Sequence, residues 1–297
     1  SLYESLLRQP IERHARLPLI PLLVTPEDDG LQDSTPMMGW LDERFSHPAT
    51  QPDDARLAFV SALLEEYGDE WGNKLMFHHR WHGEVDQRAT ALVLARGMRP
   101  GGTHAEVAAL AEAVRERMTG RRHFTGSSDE AAPLLSACFE RLLAILEVVL
   151  AERPYLFGGR PAWGDFGLAA QLYECGLDPT CGGLLRARAP ATLAWCYRML
   201  DPVDLGDHLP WEAAVPALGP LLEDVGAFFL PWSHANAQAL ADGEEAFTVA
   251  LGNDTYTQAP QKYHARSLAA LRERHAAVAD DLELRGLLDR TGCLPYL

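Results

Sequence analysis

Leu134, Leu135, Cys138, Phe139, Leu142, Leu146, Val149 and Leu150 recur at helical intervals through one stretch of the chain, a spacing that lays a wide apolar stripe along an α-helix. A stripe of that width must be covered by other elements, so it predicts the central core helix of a multi-helix unit. Most of the chain beyond about residue 53 repeats the helical pattern. Leu57, Val60, Leu63, Leu64 and Tyr67 mark one long helix from about Asp53 to about Trp71, extending towards Trp81. A second covers about Val85–Met98 and closes on Arg99-Pro100-Gly101-Gly102. Thr103 with Glu106 predicts a capping box for a third, and Ser127 with Glu130 another for the core helix, which runs to about Glu152. Further helices are predicted near Asp165–Cys175, Ala189–Leu200, Val215–Phe229, Ala235–Gly243 and His264–Ala279, with a short one at Asp280–Asp289. Between them, residues 246–251, Gly252-Asn253-Asp254 and residues 255–257 have hairpin character.

The first 47 residues read differently. Leu2–Ala15 is polar, weakly periodic and divided by Pro10, which predicts one short helix. The apolar run Leu17–Val24 is closed by Pro26-Glu27-Asp28-Asp29-Gly30, giving a strand, a turn and a second short strand near Leu31-Gln32. Proline is tolerated only at strand starts or edges, so the first strand is expected to begin at Pro21. Asp33 and Ser34 are good N-cap residues for a helix of about three turns carrying Met37, Met38, Trp40, Leu41 and Phe45. Ser46–Asp53, with two prolines and no periodicity, reads as the linker to the helical part.

At 297 residues and 47% hydrophobic, the chain is long enough for two units. A net charge of −16 repels phosphate backbones and anionic bilayers, so neither nucleic acid nor a membrane surface is an expected partner. Arg115, Arg117, Arg121, Arg122 and His123 are the most basic stretch, but Glu112, Glu116 and Asp129 surround them, as on a solvated helix end. The sequence shows neither a run of about 18 apolar residues nor a signal-peptide pattern, which leads us to expect a cytoplasmic protein. Cys138, Cys175, Cys181, Cys196 and Cys293 are odd in number and contain no C-x-x-C pair, as in reduced thiols. His78 and His82, spaced i and i+4, could face one ion with Asp86 nearby; we read them, with His79, as ordinary histidines and assign no metal.

Two separated stretches resemble the glutathione transferase superfamily. Ile20-Pro21-Leu22-Leu23-Val24, Asp29-Gly30 and residues 31–45 (LQDSTPMMGWLDERF) are similar to its sequence of cis-proline, strand, turn, strand, acidic-Ser pair and helix. Pro154-Tyr155-Leu156-Phe157-Gly158-Gly159-Arg160-Pro161, leading into Asp165-Phe166-Gly167-Leu168, is similar to the loop and capped helix at the centre of its helical domain. The resemblance implies a mostly α, α+β chain with a partial thioredoxin-like domain at 1–47 and an all-helical domain at 48–297, extended from about residue 202. It implies glutathione as ligand or substrate, a small-molecule electrophile and a homodimer.

By the same resemblance, Ile20 beside Pro21 pairs with the cysteinyl backbone of glutathione, Ser34 holds the γ-glutamyl carboxylate and Asp33 the amino group. Asp165 is structural, and Ala162 stands where the family has a capping Ser or Thr. The family's catalytic Tyr, Ser or Cys lies near the first strand and helix, upstream of the matched region. Only about twenty residues precede Pro21 here, too few for those elements, and the start at Ser1-Leu2 permits loss of an upstream segment. Tyr3 and Ser5 are not assigned, so the catalytic residue is unknown. Tyr67, Trp71, Phe77 and Trp81 are the candidates for an apolar substrate wall. Two functions are then open: conjugation of glutathione to an apolar electrophile, or a non-catalytic binding or scaffolding role.

Overall fold

A computed structural model of the chain describes residues 10–15 and 20–297. The chain forms two compact units, 1–51 and 52–297.

In the first unit, residues 10–14 are helical, and the remainder of the expected N-terminal helix lies outside the described residues. The strands are Leu22–Val24 (β1) and Gly30–Gln32 (β2), antiparallel, with Leu22 opposite Gln32, Leu23 opposite Leu31 and Val24 opposite Gly30. β1 begins one residue after Pro21, which has no N–H to give a ladder. Thr25 and Asp29 close the turn through the Thr25 N–H to the Asp29 carbonyl at 2.8 Å. Gly30 is needed for close approach: a Cβ there would lie 2.5 Å from the His14 carbonyl oxygen. The helix Ser34–Arg44 follows directly, with Met37 buried.

The second unit is built on one unbroken rod from Ala55 to His82, α-helical over Ala55–Glu66 and Asn73–His82 with a π-helical stretch at Tyr67–Gly72 between them. Glu84–Met98 and His104–Thr119 follow, the latter opened by the expected Thr103–Glu106 capping box. Ala132–Glu152 is the core helix, and the predicted stripe is its buried face. The Ser127–Glu130 box does not form. The helix starts only at Ala132, with Pro133 in its first turn, and the Ala131 N–H is held by the Ser128 hydroxyl at 3.1 Å.

Trp163–Leu177 crosses the rod at very short range. A Cβ on Gly68 would meet the Gly167 carbonyl carbon at 2.5 Å, and one on Gly167 would meet the Glu65 carbonyl oxygen at 2.5 Å. Pro179–Arg188 is a helix with no sequence expectation, and Pro190–Arg198 follows it. The two helices expected at 215–229 and 235–243 are one rod, Trp211–Asp242, with a π-helical stretch at Val225–Phe229 just before Pro231. The wider turn accommodates a residue that has no N–H and whose ring crowds the carbonyl four residues earlier. This rod is long and apolar enough to cross a bilayer by length and composition, but Asp224 and Asn236 on it are fully buried inside the unit, and it packs as a core helix.

A hairpin of Phe247–Leu251 (β3) and Asp254–Gln258 (β4) turns on Gly252, whose φ of 60° favours glycine at the first loop position. Lys262–Ala276 and Leu282–Arg290 complete the unit. The whole is a mostly helical α+β chain.

Candidate functional site

The junction between β2 and the Ser34–Arg44 helix is where the first unit gathers ligand-binding geometry. The ladder ends on the Leu22–Gln32 rung, with Ile20-Pro21 leading into β1 and Asp33-Ser34 leading out of β2 at that same end. The Ile20–Pro21 bond is cis and Ile20 is 77% exposed. Asp33 turns the chain from strand to helix at φ 82°, ψ 136°, a region that costs a non-glycine residue about 1–3 kcal/mol. Its side chain makes no capping bond to the helix, and the first turn carries no acidic residue. An eleven-residue helix of this kind points its first N–H groups and the positive end of its dipole at whatever lies before Ser34. A separate cavity of about 250 Å³ in this unit is lined by His14, Gly30, Leu31 and Gln32.

Asp165 sits at the centre of the second unit with no exposed surface. Its Oδ1 accepts the Leu156 N–H and the Trp195 indole N–H, both at 2.9 Å, and its Oδ2 accepts the Ala162 N–H at 3.0 Å. Ala162 has no side-chain acceptor to return. The Asp165 N–H is taken instead by the Ala162 carbonyl at 2.9 Å. Burial pushes the carboxyl up to about 6 against the pull of its three donors.

The four aromatics proposed for a substrate wall are core. Tyr67 and Trp71 have no exposed surface and Trp81 has 1%. Trp71 packs on Trp232 at 5.8 Å, Tyr256 at 6.0 Å and Phe228 at 6.5 Å. Phe77 and Trp81 form a second small cluster with Ala91. The reason is that helices cover the Ala55–His82 rod on nearly all sides, which helical spacing alone does not reveal.

The histidines of the same rod do not converge on an ion. The His78 and His82 rings stack at 4.6 Å and 23°, so their lone pairs lie in nearly parallel planes. His78 Nδ1 is bonded to the Ser127 hydroxyl at 2.8 Å and His82 Nδ1 to Arg122 at 2.7 Å. Asp86 is engaged with the Thr180 hydroxyl and N–H. Among the described residues no group of three or more His, Cys, Asp or Glu side chains is arranged to hold a metal.

Two buried polar clusters had no place in the reading of the sequence. Lys74 is 4% exposed; its Nζ donates to Gln258 Oε1 at 2.8 Å and the Thr125 carbonyl at 3.1 Å, and lies 4.3 Å over the Trp232 ring. Burial draws the amine down to about 7, with Glu70 opposing. Glu70 contacts His264, and Ser267 donates to Glu66. In the second cluster Asp224, fully buried, accepts from the Tyr67 hydroxyl at 2.6 Å and forms an ion pair with Arg141, Nε to Oδ1 2.7 Å. The available signal was the acidic run Glu65, Glu66, Asp69, Glu70 inside an apolar helix, charges that no single solvent face accommodates.

Residues 104–198 match the family model described as Glutathione S-transferase, C-terminal domain. No curated protein and no solved structure matches the chain. The matched segment contains the core helix, Asp165 and the elements it ties together, from Leu156 to Trp195. Over residues 104–198 the chain is thus similar to the C-terminal helical domain of glutathione S-transferases.

Proposed function

We propose that the chain binds glutathione at the β2–helix junction of its first unit. The observation that supports this most directly is Asp33, held in a glycine-like conformation at the end of the hairpin where the cis Ile20–Pro21 bond enters β1. Strain of that sort persists where surrounding structure enforces it, and it clusters at ligand sites. In this reading the exposed Ile20 backbone pairs with the peptide edge of the tripeptide. The Ser34 hydroxyl and first-turn N–H groups take the γ-glutamyl carboxylate, and the Asp33 carboxylate takes the amino group. Glutathione itself supplies the thiol.

A second reading, a binding or scaffolding protein that does not conjugate, is favoured by the burial of Tyr67, Trp71, Phe77 and Trp81, which leaves the apolar electrophile without the wall the sequence offered it. We further propose a homodimer acting on small molecules in the cytoplasm, the dimer by the family resemblance and the cytoplasm supported by five free, buried cysteines.

Calorimetric titration of glutathione into the full chain tests the binding. Heat saturating at one site per chain, lost in Ser34→Ala, supports it; no saturable heat overturns it. Turnover of a chlorinated nitrobenzene by the same preparation then separates conjugation from binding alone.

A further inference from the structure

The second unit carries a surface groove of about 450 Å³ that none of the residues discussed above as glutathione ligands enters. One wall is a single face of the core helix, where Arg141, Ala144, Ile145 and Val148 follow at helical spacing, and the other carries Pro216 and Pro220. The second wall belongs to the Trp211–Asp224 helix, beyond the residues that match the family model. The volume falls within the roughly 300–1,000 Å³ of small-molecule sites.

The chemistry of the groove is asymmetric. Its lining is almost wholly apolar, and the prolines, one turn apart, remove two backbone donors from their wall. Val148 is 72% exposed, an apolar side chain with nothing over it. Arg141 stands at one end. Its Nε is ion-paired with the buried Asp224 carboxylate at 2.7 Å and its guanidinium lies 5.9 Å from the Phe228 ring centroid. Its two terminal amino groups make no hydrogen bond to any described residue. A guanidinium anchored through Nε and open at its terminal edge is a preorganised fork for a second carboxylate. From Arg141 to Val148 the groove runs about 10 Å along the helix. Glu152 and Arg153 close the opposite end, about 16 Å from Arg141, where their opposite charges stand side by side and Arg153 donates towards the Leu156 carbonyl.

We propose that this groove binds a single medium-chain aliphatic carboxylate, its headgroup on Arg141 and its chain along Ala144, Ile145 and Val148 against Pro216 and Pro220. The site is separate from the proposed glutathione site, and its occupant is a monomeric amphiphile.

The test is calorimetric titration of decanoate, below its micellar concentration, and of the neutral decanol into the full chain. Wild-type protein is expected to bind one decanoate per chain. Arg141→Gln, which keeps the length of the stem to Nε and removes the charge and the terminal fork, should weaken decanoate by about tenfold or more and leave decanol unchanged. Ala144→Phe, which fills the groove from an exposed position, should abolish both, and thermal unfolding verifies that each variant is folded. Absence of decanoate binding, or binding indifferent to both substitutions, overturns the proposal. So does a wild-type dimer that Ala144→Phe turns into a monomer in sedimentation, since a second copy of the chain would then be the occupant. Glutathione titrated into the same variants should behave as in wild type, so failure here is distinguishable from failure of the glutathione reading.

Discussion

Tyr67 donates its hydroxyl to Asp224 at 2.6 Å across 157 residues of sequence, and the two stand where π-helical stretches of two different rods meet. The rings continue the contact, Tyr67 against Phe229 at 6.1 Å. Arg141 completes the cluster from the core helix. Tyr67→Phe keeps the packing and removes the hydroxyl that donates to a fully buried carboxylate, leaving it only the Arg141 ion pair, so it is expected to lower the unfolding free energy by about 1–3 kcal/mol in urea titration. In the Asp224→Asn background the same substitution should cost measurably less, because an amide needs its donors less than a carboxylate does.

Gly68 and Gly167 bring two helices of the second unit into backbone contact. At either one an added Cβ would sit 2.5 Å from backbone atoms of the opposite helix, and backbone cannot rotate away as a side chain can. Alanine would gain about 1 kcal/mol of helix propensity, yet Gly167→Ala is expected to destabilise by about 1–3 kcal/mol net through forced separation of the helices. Gly183→Ala, where nothing lies within 4 Å, supplies the control and should be neutral or stabilising in the same urea titration.

What was legible in the sequence was whatever period and capping chemistry encode. The stripe from Leu134 to Leu150 gave the core helix, Thr103 with Glu106 gave a real cap, and the Pro26–Gly30 cluster gave the turn between β1 and β2. The errors arose where tertiary packing overrides a local rule. Pro231 argues locally for a break, but burial on both sides keeps the rod intact and the strain is absorbed in a π turn. Ser127 looks like a cap, but His78 claims its hydroxyl. Trp71 looks like a pocket aromatic only while the later hairpin and rod that enclose it, through Tyr256 and Trp232, stay invisible. The Asp33–Ser34 pair could be found by its position between strand and helix; that Asp33 would adopt φ 82° could not.

Asp33 carries its own prediction. Asp33→Gly removes the side chain from a backbone conformation that glycine adopts freely, which should stabilise the folded first unit by up to about 1–3 kcal/mol, less about 1 kcal/mol for the added freedom of the unfolded chain. If the strain is kept for a ligand, glutathione affinity should fall at the same time. Thermal unfolding read beside calorimetry checks both signs. A variant that is more stable and binds as tightly as wild type would show that Asp33 merely turns the chain.

Glu66 ties stability to pH. It is 9% exposed on the rod, and burial, with Glu70 and Asp69 adding repulsion, pushes its carboxyl from the ordinary 4.5 up to about 7 against the Ser267 hydroxyl and Arg274. Between pH 4.5 and about 7 the folded chain therefore holds a proton that the unfolded chain has released. Because the folded state binds more protons there, its stability falls as pH rises. The stabilisation is fully present below pH 4.5 and is lost on passing through pH 7, an interval worth about 3 kcal/mol from this group. Glu66→Gln stays neutral and keeps an oxygen for the Ser267 hydroxyl. Urea unfolding from pH 4.5 to 8 should accordingly show a shallower decline for the variant, with the gap in its favour widening towards pH 8. A wild-type decline that the Gln variant reproduces in full would place the proton on another group, with Asp165, pushed up to about 6, the next to be substituted.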